Sequence, residues 1–243
     1  MIVALHDPII AARSPLPWTS WQRSEDCYSE GSLIWLDVDT RLRELSGDSR
    51  SLDDFARNFF GRNEGEWQVT DTYEFEDVVQ ALDAIASFDW AGFFVEQLEG
   101  KRAGTELDGL ERGGYRLVYR DAPNPFSVSS DAVFGTVSLS FSLGVTLDAE
   151  GRLKDVLWDG PGFGAGLTAG SELVAVNGHA YSADLLKQAI AAGTSDEPIE
   201  VVVRTGRHVR TVTIAYDGGL RYPHLERIEG ARPRLDEILA PLR

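Results

Sequence analysis

Four histidines, one cysteine and a run of alternating glycines are the residues of this 243-residue chain with the plainest chemical uses. The histidines are His6, His179, His208 and His224. A zinc peptidase site of the H-E-x-x-H kind needs two imidazoles one helical turn apart, a glutamate between them as general base and a further carboxylate ligand. No two histidines here have that spacing, and "HDPII" brings no such glutamate. Cys27 stands alone, which excludes an internal disulfide and a cysteine-based zinc cluster. There is no G-x-S-x-G nucleophile elbow and no C-x-x-C. The run "WDGPGFGAGLTAG" from Trp158 invites a phosphate-loop reading, but it fails on spacing. From Gly160 the third glycine of a dinucleotide loop falls on Ala165, from Gly162 it falls on Leu167, and the Walker lysine is missing. Asp37 and Asp39 form a D-x-D pair, yet residues two apart on a helix face different ways. Asp53 with Asp54, and Glu74, Glu76 and Asp77, read as charges at helix starts rather than as acid–base pairs.

These residues sit in a chain of formal net charge -16. So acidic a surface repels nucleic acid and anionic membranes, which removes both as expected partners. Hydrophobic residues make up 43% of the chain, enough for a sizeable core in one large domain or two ordinary ones. The N-terminal "MIVALHDPIIAARSPLPW" has no basic start and is broken by Asp7 and Pro8, so it does not read as a signal peptide. No stretch approaches the run of about 20 apolar residues that a membrane helix needs. Compartment stays open between cytoplasm and periplasm, and so does oligomeric state.

The elements that must position these groups change character along the chain. The first part has helical periodicity. "SEGSLIWLDVDTRLRELSG" spaces Leu33, Leu36, Leu42 and Leu45 along one face, with Gly47 as a stop. "SLDDFARNFFG" carries Ser51 as N-cap and Gly61 past its end. "EFEDVVQALDAIASF" aligns Val78, Val79, Leu82 and Ile85, and "DWAGFFVEQLEG" runs from Asp89 as cap to Gly100. After Gly113 the pattern becomes that of short strands. "GYRLVYRD" is one short strand, and "APNPFSVSSD" a Pro/Ser-rich connector. "SELVAVNGHAY" is a hairpin turning at Asn177-Gly178, "SADLLKQAIAAG" a helix capped by Ser182, and "IEVVVRT" with "HVRTVTIAY" a second hairpin. The polar tail from Asp217 has room for a last helix in "PRLDEILAPL". The expected class is α+β, a helical array followed by a small, partly open β-barrel with one helix.

Two resemblances add function to this outline. Residues 134–216 resemble a PDZ domain of the kind found in bacterial proteases. "SLGV" (Ser142 to Val145) matches the x-Φ-G-Φ carboxylate-binding loop, and "GPGFGAGLTAGSELVAVNG" is similar to the family's SPAxxAGLxxGDxIxxVNG stretch. "SADLLKQAI" then falls where the ligand-groove helix belongs. The resemblance implies that the N–H groups of Leu143, Gly144 and Val145 hold a peptide's terminal carboxylate while the peptide adds a strand beside Val145 to Leu147. Leu143, Leu186 and Ile190 would then wall the side-chain pocket, unless they are simply core.

The segment "SWQRSEDCYSEGSLIWLDVDTRLRELSGDSRSLDDFARNFFG", with "FEDVVQALDAIASFDWAGFF" and "GGLRYPHLERIEG", resembles the glycyl aminopeptidase family. These are zinc metallopeptidases of the gluzincin group that end in a PDZ domain. In them a tyrosine of the Y-x-E-G type stabilises the tetrahedral intermediate, and Tyr28 in "CYSEG" is the residue here that fits. The resemblance implies residues 1–112 as the helical C-terminal part of the catalytic region, 113–133 as linker, 134–216 as the PDZ domain and 217–243 as tail. Zinc belongs to the intact enzyme, which releases N-terminal Gly or Ala from peptides. With no metal site in this chain, no cofactor and no activity are expected of it alone. Two alternatives remain: a non-catalytic module that binds peptide C-termini, and a scaffold that lends Tyr28 to another subunit.

Overall fold

The computed structural model describes residues 26–61, 65, 72–100, 107–194 and 196–241. His6 and the N-terminal segment lie outside them, and Cys27 is described only in its backbone. The chain divides into two compact units. One holds the described residues up to Leu117 and those from Leu225 on; the other holds Val118 to His224.

The first unit is built on α1 (Asp26–Leu45), α2 (Leu52–Phe60), α3 (Phe75–Asp83), α4 (Trp90–Glu99) and the short α5 (Asp108–Arg112). Local chemistry sets these boundaries. Ser51 accepts from the N–H of Asp53 while Asp54 accepts from the N–H of Ser51, a reciprocal cap that starts α2. Asp89 accepts from Gly92 at 2.9 Å to start α4. Val38, Leu42, Phe55, Phe59, Leu82, Trp90, Phe93 and Phe94 form the core. The middle of α1 is enclosed on all sides, since Asp37, Val38, Asp39 and Thr40 are consecutive and all buried. Leu45, expected on the apolar face, is instead exposed where the helix leaves the core.

β1 (Tyr115–Arg120) leads into the second unit and β9 (Tyr222–Arg227) returns from it, the two pairing as a two-stranded sheet. Between them lie α6 (Pro125–Phe134), β2 (Thr136–Leu139), β3 (Val145–Asp148), β4 (Leu153–Val156), α7 (Pro161–Gly164), β5 (Glu172–Val176), β6 (His179–Ala180), α8 (Ala183–Ala192), β7 (Ile199–Thr205) and β8 (His208–Ile214). α9 (Arg234–Ile238) closes the chain in the first unit. The fold is a mixture of helix and sheet, with open sheets and no closed barrel. The strands form two open sheets, ordered β2-β3-β4 and β6-β5-β7-β8, joined in pairing by the Arg152–Glu172 bridge. Strands of four residues and the ladder shifts at Thr146/Leu147 and Leu173/Ala175 leave too little continuous pairing for closure. A core of Leu139, Leu143, Val145, Leu147, Leu186, Ile190 and the inward residues of β5 and β7 fills the space between the sheets and α8.

The Pro/Ser-rich stretch expected as a connector contains α6. Asn124 accepts from Ser127 at 2.8 Å, Pro125 opens the helix, and Gly135 ends it in the left-handed region (φ 61°). The caps outweigh the weak helix propensity of its serines and valines.

Candidate functional site

Tyr28 lies in the first turn of α1 and is 73% exposed, so its phenol faces solvent. Its carbonyl accepts from Ser32 Oγ at 2.7 Å, one turn on. Two positions further along the helix, Glu30 turns Oε2 inward, where it is buried and has no hydrogen-bond partner among the described residues.

The D-x-D pair is a structural clamp. Asp37 accepts from Arg112 of α5 and at 3.5 Å from Arg41. Asp39 accepts from Arg43 through both carboxylate oxygens at 3.2 Å and from the backbone N–H of Leu52 at 2.7 Å, so it also fixes the start of α2. The two carboxylates point to different neighbours, as a spacing of two on a helix requires. Burial raises the pKa of Asp37, and the charges of Arg112 and Arg41 act against that rise. Arg41 in turn lies 4.7 Å from the Phe88 ring centre and 5.4 Å from that of Phe93. Behind this clamp the backbones of α1 and α5 nearly touch, because a methyl at Gly109 would come within 2.8 Å of Asp37 Cα.

Among the described residues no imidazoles converge. His179 Nδ1 bonds the Asn177 carbonyl at 3.0 Å, His224 Nε2 bonds that of Ala122 at 2.8 Å, and His208 begins β8 on the surface. Among the described residues no three His, Cys, Asp or Glu side chains gather as a metal site. The described residues therefore do not fit the zinc centre that the sequence resemblance implies for the intact enzyme.

The five residues expected around a peptide lie together in the second unit. Leu143, Val145, Leu186 and Ile190 are each 1% exposed or less and belong to one core. Gly144 has φ 72°, a conformation that favours glycine, and a methyl there would come 3.2 Å from Gly160 Cα. The loop is bonded on both sides. Its Ser142 and Gly144 N–H groups donate to the Leu139 carbonyl, each at 3.1 Å, and its Leu143 and Gly144 carbonyls accept from Gly162 and Leu157, each at 2.8 Å. Ser142 Oγ, buried, accepts from the Arg221 N–H at 3.0 Å. These bonds explain the glycine run. A methyl on Gly162 would sit 2.7 Å from Val145 Cγ1 and 3.0 Å from the Leu143 carbonyl, so the segment needs glycine to pass this loop. Beside the loop, Tyr119 and Phe141 pack at 5.5 Å and Arg221 lies 4.4 Å over the Tyr119 ring.

Sequence reading missed three of these features: the Arg112 partner of Asp37, β9 within the tail, and the occupied edge of β3. Pairing across 75 residues leaves no periodic trace in a sequence. Pro223 is tolerated in β9 because the pairing forms along a two-stranded sheet, where each strand has a free edge.

No protein-family model matches the sequence, and no curated protein matches it significantly. Among solved structures, an aminopeptidase N family protein from Idiomarina loihiensis is similar with a TM-score of 0.62 and 18% identity. The likeness covers 88% of this chain and 36% of that one, so this chain spans about a third of that protein's length. The HtrA3 PDZ domain bound to a phage-derived ligand matches 48% of this chain and 95% of its own at 19% identity, with a TM-score of 0.25. The photosystem II D1 C-terminal processing protease matches 77% and 43% at 15% identity, with a TM-score of 0.26. Superpositions as loose as these last two carry no weight. No helix among the described residues is long and apolar enough to cross a membrane. The chain shares its fold with part of an aminopeptidase N family protein.

Proposed function

We propose that this chain is the C-terminal part of a zinc aminopeptidase of the glycyl aminopeptidase type, with residues 134–216 as its PDZ-like module. The observation that carries the reading is the fold agreement with an aminopeptidase N family protein over 88% of the chain. The order of the sequence resemblances, from "CYSEG" to "GLRYPHLER", supports it. In this reading the metal is held by residues that this sequence does not contain, and it supplies the polarisation of the scissile carbonyl.

The part assigned to this chain is to position a phenol. Tyr28 donates one hydrogen bond to the carbonyl oxygen of the scissile peptide as that oxygen gains negative charge. A neutral donor suits the task, because it stabilises developing charge without holding the ground state as tightly. Exposure leaves the Tyr28 O–H accessible to a substrate. The clamped middle of α1 keeps the helix that carries it fixed to α2 and α5.

Two measurements test the reading. The purified chain supplied with zinc is expected to release no Gly or Ala from dipeptide or anilide substrates; measurable zinc-dependent release would overturn the incompleteness of the site. In an enzyme that joins this chain to the zinc-binding part, Tyr28→Phe is expected to lower kcat about 10²- to 10³-fold with unchanged zinc content. Turnover equal to that of the parent would remove Tyr28 from the chemistry.

A further inference from the structure

β3, the strand that follows the Ser142–Val145 loop, has no free edge. β4 pairs along one side, and β2 covers the other over its full length: Thr136 opposite Asp148, Val137 opposite Leu147, Ser138 opposite Thr146 and Leu139 opposite Val145. A strand has two edges, so a peptide cannot add to β3 while β2 is in place. β2 also runs as an added peptide would, antiparallel to β3 and with its last residue arriving at the loop.

Leu139 completes the correspondence. Its carbonyl oxygen takes the N–H groups of Ser142 and Gly144, and of the three loop amides expected to hold a carboxylate Gly144 is thereby engaged. Its side chain is 1% exposed, in the same core as Leu143, Leu186 and Ile190, the residues expected to receive a ligand's terminal side chain. One residue of the chain thus supplies the strand end, the oxygen and the aliphatic side chain that recognition of a peptide terminus would require.

We propose that β2 is a built-in ligand of the β3 edge and of the Ser142–Val145 loop, which an external extended segment takes only when β2 leaves. The proposal stands on the pairing and hydrogen bonds of the second unit, independently of the peptidase reading. The segment is attached as a strap that can be exchanged. α6, which precedes it, buries none of its residues and exposes Phe126, Val133 and Phe134. Gly135, between α6 and β2, has φ 61° and no atom within 4 Å of where a Cβ would lie. Besides the ladder and Leu139, the strap is held by Val137 packed against the core, by a Ser138 Oγ–Ser140 Oγ bond at 3.1 Å, and by Asp131, which accepts from Thr136 Oγ1 at 2.9 Å and from the Ser138 N–H at 3.2 Å. An external peptide competes with β2 for the same edge and the same amides, so its apparent affinity falls by the fraction of molecules in which the strap is open.

The probe is a labelled peptide ending in Thr-Val-Ser-Leu with a free carboxylate, the sequence of residues 136–139, and its C-terminal amide serves as control. The Asp131→Ala/Leu139→Ala chain is expected to bind the acid about tenfold or more tightly than the native chain, and the amide weakly. A Thr136→Cys/Asp148→Cys pair in a Cys27→Ser background, which fastens β2 to β3, is expected to abolish binding when oxidised and to regain it when reduced. Equal binding by native, loosened and oxidised chains would show that the peptide does not compete for this edge and would overturn the proposal. Binding by none of them would do the same, making β2 a permanent strand. Should the loosened chain fail to fold, hydrogen exchange on the native chain decides the matter. Amides of the β2–β3 ladder are expected to exchange faster than those of β5–β7, and equal protection of the two ladders would overturn the proposal.

Discussion

Asp48 shows how much one residue can fasten in a chain this acidic. It follows Gly47 past the end of α1 with φ 64°, and its carboxylate receives Arg234 at 2.6 Å and Arg232 at 2.7 Å. The hydrogen bond from Arg234, together with the charges of Arg234, Arg232 and Arg43, holds its pKa below the ordinary 3.8, against a smaller opposing effect of burial. A carboxylate whose pKa is lower folded than unfolded contributes stability that is complete above its unfolded value and is lost as pH falls through the folded one. Asp48→Asn keeps a residue that tolerates the left-handed conformation and removes only the charge. Urea denaturation should therefore find the variant less stable than the native chain at pH 7, with the gap closing as pH drops below about 4. A gap that stayed constant down to pH 2 would mean that the charge is not what Asp48 contributes. Asp37 answers acid the other way. Its pKa is raised by burial, so that carboxyl alone favours the folded chain as pH falls toward 3.8 from above.

At the scale of elements, the glycine run separates close approach from mere flexibility. Gly162 lies against Val145 and the Leu143 carbonyl, whereas a Cβ on Gly164, two residues on in α7, would meet nothing within 4 Å. Gly162→Ala should destabilise the second unit by about 1–3 kcal/mol. Gly164→Ala should be neutral or stabilise it by about 0.4–1 kcal/mol through the unfolded chain. Thermal unfolding of the two variants distinguishes them, and equal effects would refute the packing account. The elements themselves were largely legible. Ser51, Asp89 and Ser182 marked helix starts because a side-chain oxygen there meets a free N–H within three residues, a purely local rule. Asn177-Gly178 marked its hairpin for the same local reason, with φ values of 46° and 78°. α6 carried the same signals in Asn124, Pro125 and Gly135, but its proline and serines suggested a connector. The site was less legible. "SLGV" marked a loop in which Gly144 has φ 72°, but that the Leu139 carbonyl takes the Ser142 and Gly144 amides depends on which strand pairs with which, and pairing partners are not written in the residues themselves.

At the scale of the molecule, each unit has its own buried core, one built from aromatic side chains on helices and the other from aliphatic side chains between sheets. Leu82 is fully buried in the first and Leu173 is 2% exposed in the second. Truncating either to alanine should cost about 2–5 kcal/mol. Calorimetry is expected to show Leu82→Ala lowering one transition and Leu173→Ala another, and both variants shifting one shared transition equally would indicate a single cooperative unit. The route of the chain bears on this. The C-terminal segment is bonded to the end of α5 through Ile228 N–H to the Gly114 carbonyl and Leu235 N–H to that of Gly113, each at 2.9 Å. A methyl at Gly114 would come within 2.5 Å of the Arg232 carbonyl.

The two-stranded sheet of β1 and β9 makes the second unit an insertion, because everything from Val118 to His224 enters along one strand and leaves along its neighbour. A gene could exchange that cassette, or lose it to a tight turn, without moving either end of the helical framework that receives it.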